Sequence, residues 1–330
     1  MNLNKVKENK TKKIRVVVVA GGWSAEREIS LKSGKAVYNA LDREKYEVSF
    51  LDIKEEIHFL FKNREKIDIV FPLLHGRLGE DGSIQGFLNI LGIPYVGSDI
   101  LANAIAMNKK ISKEIFEKNG LCVPKALYLK KESYSESSLK DINPFGFPVV
   151  VKPVSEGSSF GISLCSNTEE LIKGVKKAFE YDEEILIEEY IDGIEITAPV
   201  IGVKELEVLP LIEIVPKETH KFFDFTAKYT PGATDEICPA RIPAVLEKKA
   251  KEAAKIAFNA IGCKVWARVD MIIKSDRVYV LEVNTIPGMT ENSLFPLSAK
   301  KAGISFSELL DKLISLSLFA SHPLVSESSK

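Results

Sequence analysis

The stretch from Lys264 to Asn292, KVWARVDMIIKSDRVYVLEVNTIPGMTEN, reads as two strands and a loop. Val265 to Ile273 is rich in Val, Ile, Met and Trp. Val278 to Val283 alternates around Tyr279 and Leu281. Lys274-Ser275-Asp276 is a polar turn between them. With an odd number of residues in the turn, even positions on both strands share one face. That face carries Arg268, Asp270, Glu282 and Asn284. Asp270 and Glu282 are then diagonal neighbours, roughly 7–8 Å apart at the backbone. Two carboxylates and an amide oxygen suit a hard cation, most often Mg²⁺ held together with a nucleotide. The exposed polar face of a half-buried hairpin fits the same spacing. The Pro-Gly turn in Thr285 to Thr290, directly beside the carboxylates, favours a site, because sites are built on loops at strand ends.

The whole chain has 330 residues, enough for two or three domains. Hydrophobic residues make up 45% and charged residues 28%, an ordinary globular composition. A net charge of −1 favours neither nucleic acid nor an anionic membrane. Cys122, Cys165, Cys238 and Cys263 are far apart with no C-x-x-C, which points to reduced thiols rather than disulfides or zinc. No run approaches the roughly 18 apolar residues of a membrane span. Residues 1–13 are polar and Lys-rich, and the apolar run after them is only a strand long, unlike a signal peptide. A cytoplasmic location is expected.

Ile14 to Ala20 (IRVVVVA) is a β-branched run, the mark of a central parallel strand. After it come Gly21-Gly22 and a helix to about Leu41, with Ser30 a candidate cap. Tyr46 to Leu51 and Ile67 to Leu74 are further strands. His75 to Gly82 (HGRLGEDG) holds three glycines in eight residues, a loop that brings backbone close to something. Strands alternating with helices make residues 1–97 an α/β domain with an open parallel sheet. Residues 98–187 are expected to form a smaller α+β domain. It comprises a mainly helical Asp99 to Asn119, strands at Phe147 to Lys152 and Ile185 to Ile191, and a helix at Thr168 to Phe179 capped by Thr168. Residues 188–330 form the third domain. It has strands at Glu195 to Val203 and Glu207 to Ile214, a long irregular stretch from Pro216 to Ile237, a helix at Ala244 to Ala260, the hairpin, and a closing helix at Ser305 to Ala320. Loops as long as 216–237 are usually functional or disordered, and its aromatic residues argue against a disordered linker.

Pro153 to Gly161 (PVSEGSSFG) follows a strand, and its backbone N–H groups can cradle phosphate. It lacks the Lys that ends a P-loop; Lys152 precedes it instead. A lysine on a buried strand needs an anionic partner. Lys109 is a candidate second cation, although a solvated helix lysine fits its position better. Glu188 and Glu189 alternate, so at most one faces a ligand from a given side. Glu26 and His75 each follow the C-terminal end of a parallel strand, where open α/β sheets bind ligands. For His75, a turn histidine bonded to backbone is the competing reading.

Five segments, GGWSAEREIS (21–30), HGRLGEDGSIQG (75–86), VKPVSEGSSFGI (151–162), AKYTPG (227–232) and EVNTIPGMTENSLFP (282–296), stand in an order that resembles the D-alanine–D-alanine ligases of the ATP-grasp fold. The resemblance spans nearly the whole chain. It implies ATP held between the central and C-terminal domains, two Mg²⁺ ions (or Mn²⁺), and a D-alanyl phosphate intermediate. It also implies D-alanine as substrate, a homodimer, and dipeptide made for peptidoglycan in the bacterial cytoplasm. Carried over by motif, Asp270, Glu282 and Asn284 would bind metal. Lys109, Lys152, Ser159 and Glu195 would bind nucleotide, and Glu188, Glu189, Tyr190 and Ile191 would meet adenine. Glu26 would hold the ammonium of the first D-alanine, with His75 nearby. Ser158 and Tyr229 would join Glu26 in a hydrogen-bonded triad. Arg268 and the Gly288 N–H would stabilise the tetrahedral oxyanion. Lys228, Ser293 and the Leu294 N–H would hold the second carboxylate. The 216–237 stretch would be a closing lid.

Asn108 stands where such ligases usually have Asp, Asn103 in a segment usually smaller, and Asn89 in place of an acid. These departures bear on nucleotide affinity. A ligase making D-Ala–D-lactate or D-Ala–D-Ser remains an alternative, against which Tyr229 argues in the lactate case. A non-catalytic nucleotide-binding protein of the same fold is the other; no metal carboxylate is lost that would favour it.

Overall fold

The β-branched run is strand β1 (Ile14–Ala20), in a parallel sheet of order β2-β1-β3 with β2 (Tyr46–Asp52) and β3 (Ile69–Pro72). The computed structural model describes residues 12–135, 143–157, 160–217 and 234–320. Helices α1 (Arg27–Ala40), α2 (Ile53–Asn63) and α3 (Ser83–Leu91) accompany this sheet. Val16 to Ala20 are all buried, as a strand covered on both faces requires. The chain leaves β1 towards β2 on one side and comes back to β3 on the other. A crevice therefore opens at the carboxyl ends of β1 and β3. Ser30 does not cap α1. It lies inside the helix, where its hydroxyl accepts from Gly21 N (2.8 Å) and donates to Leu73 O (2.5 Å), tying the ends of β1 and β3 together.

The helical span expected from Asp99 to Asn119 is broken into α4 (Ile100–Met107) and α5 (Lys109–Lys118). Asn108 between them is extended (φ −90, ψ 98), and its side chain accepts from Ile111 N at 3.0 Å. Asn caps a helix as well as Asp does, so this departure leaves α5 properly started. A four-stranded antiparallel sheet follows, of order β4-β7-β5-β6, from β4 (Ala126–Lys130), β5 (Val149–Pro153), β6 (Ser163–Cys165) and β7 (Glu184–Glu189). Helix α6 (Thr168–Ala178) packs its Leu171, Val175 and Ala178 against Val149, Val151 and Ile187. Its cap is Asn167, one residue before the expected Thr168, accepting from Glu170 N at 2.9 Å.

Between Glu189 and Ile194 the chain passes into a third, antiparallel sheet. Its strands are β8 (Ile194–Gly202), β9 (Leu206–Val208), β10 (Ile212–Pro216), β11 (Thr234–Ile237), β12 (Val265–Lys274) and β13 (Arg277–Asn284). The order is β11-β10-β8-β12-β13, with β9 on β8. The strand expected over Glu207 to Ile214 is two strands, separated at Pro210, which has no N–H to give a ladder. The stretch read as irregular to Ile237 ends earlier. Thr234–Ile237 pairs with β10, Pro216 opposite Thr234, so the chain leaves and re-enters the sheet at adjacent points. Residues 218–233 lie outside the described residues.

The hairpin turn has two residues, Ser275 and Asp276, closed by Lys274 opposite Arg277. An even loop alone would set Asp270 opposite Leu281. A β-bulge between Asp270 and Met271 adds the missing residue, so Met271 faces Val280 while Asp270 faces Glu282. The expected face survives for a different reason, and its carboxylates are direct rather than diagonal neighbours. On the other face, Ala267, Val269 and Met271 pack against Ala250, Ala254, Ala257 and Phe258 of α7 (Ala244–Ala260).

The last helices, α8 (Leu294–Lys301) and α9 (Phe306–Ala320), close the chain against the first sheet. Leu309, Leu310, Leu313 and Ile314 of α9 share one core with Val16, Val18 and Ile69. Trp266 at the start of β12 joins that core, 6.1 Å from Phe71 and 5.3 Å from Phe295 between ring centroids. The first sheet and the hairpin are thereby packed as one body, which sets the crevice relative to the acidic face.

Candidate active site

Glu26 and His75 lie at the carboxyl ends of β1 and β3, and both are buried. The Ser24 hydroxyl links them: it donates to His75 O at 2.7 Å and accepts from Glu26 N at 3.2 Å. Gly76 is held at φ +73, and a Cβ there would sit 3.1 Å from Glu26 Oε2. Glycine suits both the left-handed backbone and this close approach. Gly76 N donates to Glu80 Oε2 at 2.7 Å. A Cβ on Gly157 of the Ser/Gly loop would lie 3.5 Å from Glu80 Oε2 and 3.9 Å from Glu26 Oε2, so the crevice faces that loop.

On the third sheet Asp270 gathers four donors. Arg268 Nε and Nη2 reach it at 2.8 Å each, Asn284 Nδ2 at 2.9 Å and Thr197 Oγ1 at 2.5 Å. Turning its NH₂ to Asp270 leaves the Asn284 amide oxygen as an acceptor on the same face as Glu282. Every donor atom a cation would meet here is oxygen, which fits Mg²⁺ or Mn²⁺. Among the described residues no three His, Cys, Asp or Glu side chains converge as a metal cage. Two carboxylates and an amide are what remains when nucleotide phosphates complete the shell. Glu195 on β8 pairs with Ile272, and so shares the face of Asp270.

Lys109 stands opposite this face, with Lys152 and Lys113 behind it on Glu188. Lys109 is the first residue of α5; its N–H docks on Val154 O at 3.0 Å, which carries the side chain inward. It is buried, its ammonium bonded to Glu156 O and 3.9 Å from Glu282 Oε2. The solvated-lysine reading therefore fails. Burial pushes the Lys109 ammonium down from its ordinary range, Glu282 opposing and Lys152 adding to the effect. Lys152 on β5 meets Glu188 Oε2 at 2.6 Å, and Lys113 on α5 bonds Glu188 Oε1. Burial alone would raise the Glu188 carboxyl; Lys113 and Lys152 outweigh it and hold it at about 2. Burial also pushes the Glu156 carboxyl up, with Arg77 at 3.7 Å opposing.

Where Lys109 meets Glu282 the structure opens into a cleft, lined by Glu80, Met107, Lys109, Glu156, Glu282 and Asn284 among others. The loop after β13 forms its floor. Thr285 Oγ1 donates to Asn103 Oδ1 at 2.6 Å, while Asn103 Nδ2 donates to Ser98 O (2.9 Å) and Asp99 O (2.7 Å). Asn103 is thus a bonded bridge from α4 to the loop. Further on, Ser293 Oγ accepts from Thr290 N at 3.0 Å, and a Cβ on Gly288 would come within 3.0 Å of it. Leu294 opens α8, whose first N–H groups have no intrahelical acceptor and favour an anion.

Models of the family match the chain in two parts: the D-ala D-ala ligase N-terminus at residues 15–66 and 61–98, and the D-ala D-ala ligase C-terminus at residues 115–315. The D-alanine–D-alanine ligase of Syntrophobacter fumaroxidans is 50% identical over 309 residues, 93% of this chain and 99% of that protein. This chain belongs to the D-alanine–D-alanine ligase family. The crystal structure of the Bacillus anthracis ligase complexed with ATP superposes with a TM-score of 0.81 at 38% identity, covering 93% of this chain and 98% of that one. The VanG D-Ala:D-Ser ligase of Enterococcus faecalis superposes at 0.79 with 34% identity, covering 93% and 100%. The fold is the ATP-grasp fold of those ligases.

Of the residues that the resemblance to this ligase family singles out, Lys109, Glu282 and Asn284 line the cleft. Arg268, Asp270 and Glu195 share the sheet face of Glu282, Lys152 and Glu188 pair with each other near Lys109, and Glu26 and His75 lie in the crevice that Gly157 of the lining approaches. Gly288, Ser293 and Leu294 follow β13. Glu189 ends β7 with its carboxylate turned to Lys125 N at 2.8 Å, on the face away from Glu188. Tyr190 and the buried Ile191 follow in the link to β8. Ser158, Ser159, Lys228 and Tyr229 lie outside the described residues. Sequence reasoning passed over Ser24, Lys113 and Thr197. Ser24 sits in the first quoted motif. Lys113 follows Lys109 by four residues, hence on one helix face. Thr197 is two residues from Glu195 on β8, hence on the same face.

Proposed function

We propose that this protein joins two D-alanines into D-alanyl-D-alanine at the expense of ATP, releasing ADP and phosphate. Family membership over nearly the full length supports the reaction. The observation that carries the site is one cleft in which Glu282 and Asn284 look across at Lys109, with Asp270 beside Glu282 on the same oxygen-only face and Lys152 near enough to interact with Glu282 and Lys109. That pairing is what a nucleotide triphosphate with its metal requires.

A carboxylate becomes open to attack by an amine only once one of its oxygens can leave. Phosphoryl transfer from ATP to the first D-alanine makes that oxygen part of a phosphate, giving D-alanyl phosphate and ADP. The second D-alanine then attacks the acyl carbon through its neutral amine, and phosphate departs. Asp270, Glu282 and Asn284 would hold two Mg²⁺ ions, which neutralise charge on the transferred phosphoryl group. Lys109 and Lys152 bear on the phosphates. Glu26, buried beside His75, holds the ammonium of the first substrate. Arg268 and the Gly288 N–H face the oxyanion, and Ser293 with the Leu294 N–H takes the second carboxylate. Segments 1–97, 98–187 and 188–330 act as the three domains of this machine, in a homodimer in the cytoplasm. Among the described residues no helix is long and apolar enough to cross a membrane.

ADP release measured with D-alanine, L-alanine, D-serine and D-lactate as separate substrates tests this. D-alanine alone should support turnover at a rate above ATP hydrolysis in its absence, and Mg²⁺ or Mn²⁺ should be required. Equal release with L-alanine, or none with D-alanine, would contradict the assignment.

A further inference from the structure

Lys113 is among the most deeply buried charged side chains described, 3% exposed, and it has no place in the cleft lining. It stands one helical turn behind Lys109 on α5, so both ammonium groups point to the same side of the helix. Its partner is Glu188 Oε1, while the other oxygen of that carboxylate holds Lys152 at 2.6 Å. One carboxylate is thus shared between Lys152, 12% exposed and near enough to interact with Lys109 and Glu282 of the lining, and Lys113 behind it, which interacts with neither.

The sharing has two physical consequences. A carboxylate held by a single lysine can turn about its last bond, and the lysine follows it. Held at both oxygens from opposite elements, α5 and β5, the Glu188 carboxylate is fixed in plane, and so is the Lys152 ammonium. The second consequence is charge. Lys113 and Lys152 share the single carboxylate of Glu188, so this cluster keeps one positive charge in excess. Without Lys113 the cluster is neutral, and Lys152 is spent on Glu188.

We infer that Lys113 is a positioning residue for the nucleotide: by taking one oxygen of Glu188 it aims Lys152 into the cleft and leaves it charge to offer to phosphate. This rests on the nucleotide reading of the cleft proposed above. Lys113 itself touches no substrate. Its removal should therefore act on nucleotide affinity and leave the handling of D-alanine alone.

The test is ADP binding with Mg²⁺ by calorimetry, together with steady-state kinetics, on wild type, Lys113→Met, Lys113→Gln, Lys113→Arg and Lys152→Met. For Lys113→Met, the Kd for ADP and the KM for ATP should rise on the order of tenfold, the scale of one charge-assisted contact. The KM for D-alanine should stay within about twofold. Lys113→Arg, which keeps the charge, should recover most of the loss. A merely structural lysine would lower Tm in Lys113→Met and leave the folded fraction binding ADP as wild type does; that result overturns the inference. If Lys113→Met does not fold, Lys113→Gln decides, with a KM for ATP raised several-fold expected and an unchanged KM overturning the inference. Wild type that fails to bind ADP, or Lys152→Met that binds it unimpaired, would instead overturn the nucleotide reading of the cleft.

Discussion

Replacing Glu282 with alanine lowers D-alanine-dependent phosphate release by about three orders of magnitude or more and leaves the fold intact. The two halves of that expectation have separate causes. Glu282 stands at the cleft with its carboxylate partly exposed, and its described ion pair is Lys109 at 3.9 Å. When Glu282 is gone Lys109 keeps its bond to Glu156 O and the attraction of the Glu188 and Glu156 carboxylates, so its buried ammonium is not left without a counter-charge. Catalysis has no such substitute. Asp270, directly opposite, is already shared among Arg268, Asn284 and Thr197 and cannot take on a second carboxylate's work. Phosphate release at saturating Mg²⁺, with a thermal melt on the same sample, checks both halves. Near wild-type turnover would remove Glu282 from the metal site.

Glu188→Gln has the opposite character: it unfolds the protein. The carboxylate is the shared partner of two buried lysines, and an amide leaves both ammonium groups without a counter-charge. Breaking a buried pair from one side costs about 3–5 kcal/mol, a large part of a typical domain's stability. The same group gives a pH dependence in wild type. Its folded carboxyl is held at about 2, below the ordinary value of 4.5. A depressed carboxylate contributes its stability above the unfolded value and loses it as pH falls through the folded one. Roughly 3 kcal/mol should therefore be present at pH 6 and drain away between about pH 4.5 and pH 2. Urea midpoints measured from pH 7 to pH 3 check this. A variant as stable as wild type at pH 7 would mean that the lysines find other partners.

The hairpin was legible because period-two alternation put Arg268, Asp270, Glu282 and Asn284 on one face. The turn length was not, and only the bulge after Asp270 brings the pair opposite each other. A bulge leaves no mark in a run of strand-forming residues, because it follows from how β12 is held by β8 as well as by β13. Lys109 was unreadable for a related reason. KKISKE looks like a solvated helix face, and what buries it is Val154, 45 residues later in the chain, accepting from its backbone N–H. Lys113 needed Glu188, further on again. Glu188 and Glu189, by contrast, were separated correctly by alternation: one meets the lysines, the other Lys125 N. Ser30 shows the limit of capping rules, since a serine near a helix start served two strand ends instead.

The ligation mechanism is tested most directly by the fate of the D-alanine carboxylate oxygens. D-alanine labelled with ¹⁸O in its carboxyl group is incubated with ATP, Mg²⁺ and the enzyme, and the phosphate released is examined by mass spectrometry. Activation by phosphoryl transfer predicts that each phosphate formed with a dipeptide carries one ¹⁸O from the substrate, the other staying in the peptide carbonyl. Dipeptide formed with unlabelled phosphate would contradict it, because the oxygen that leaves would then never have belonged to D-alanine.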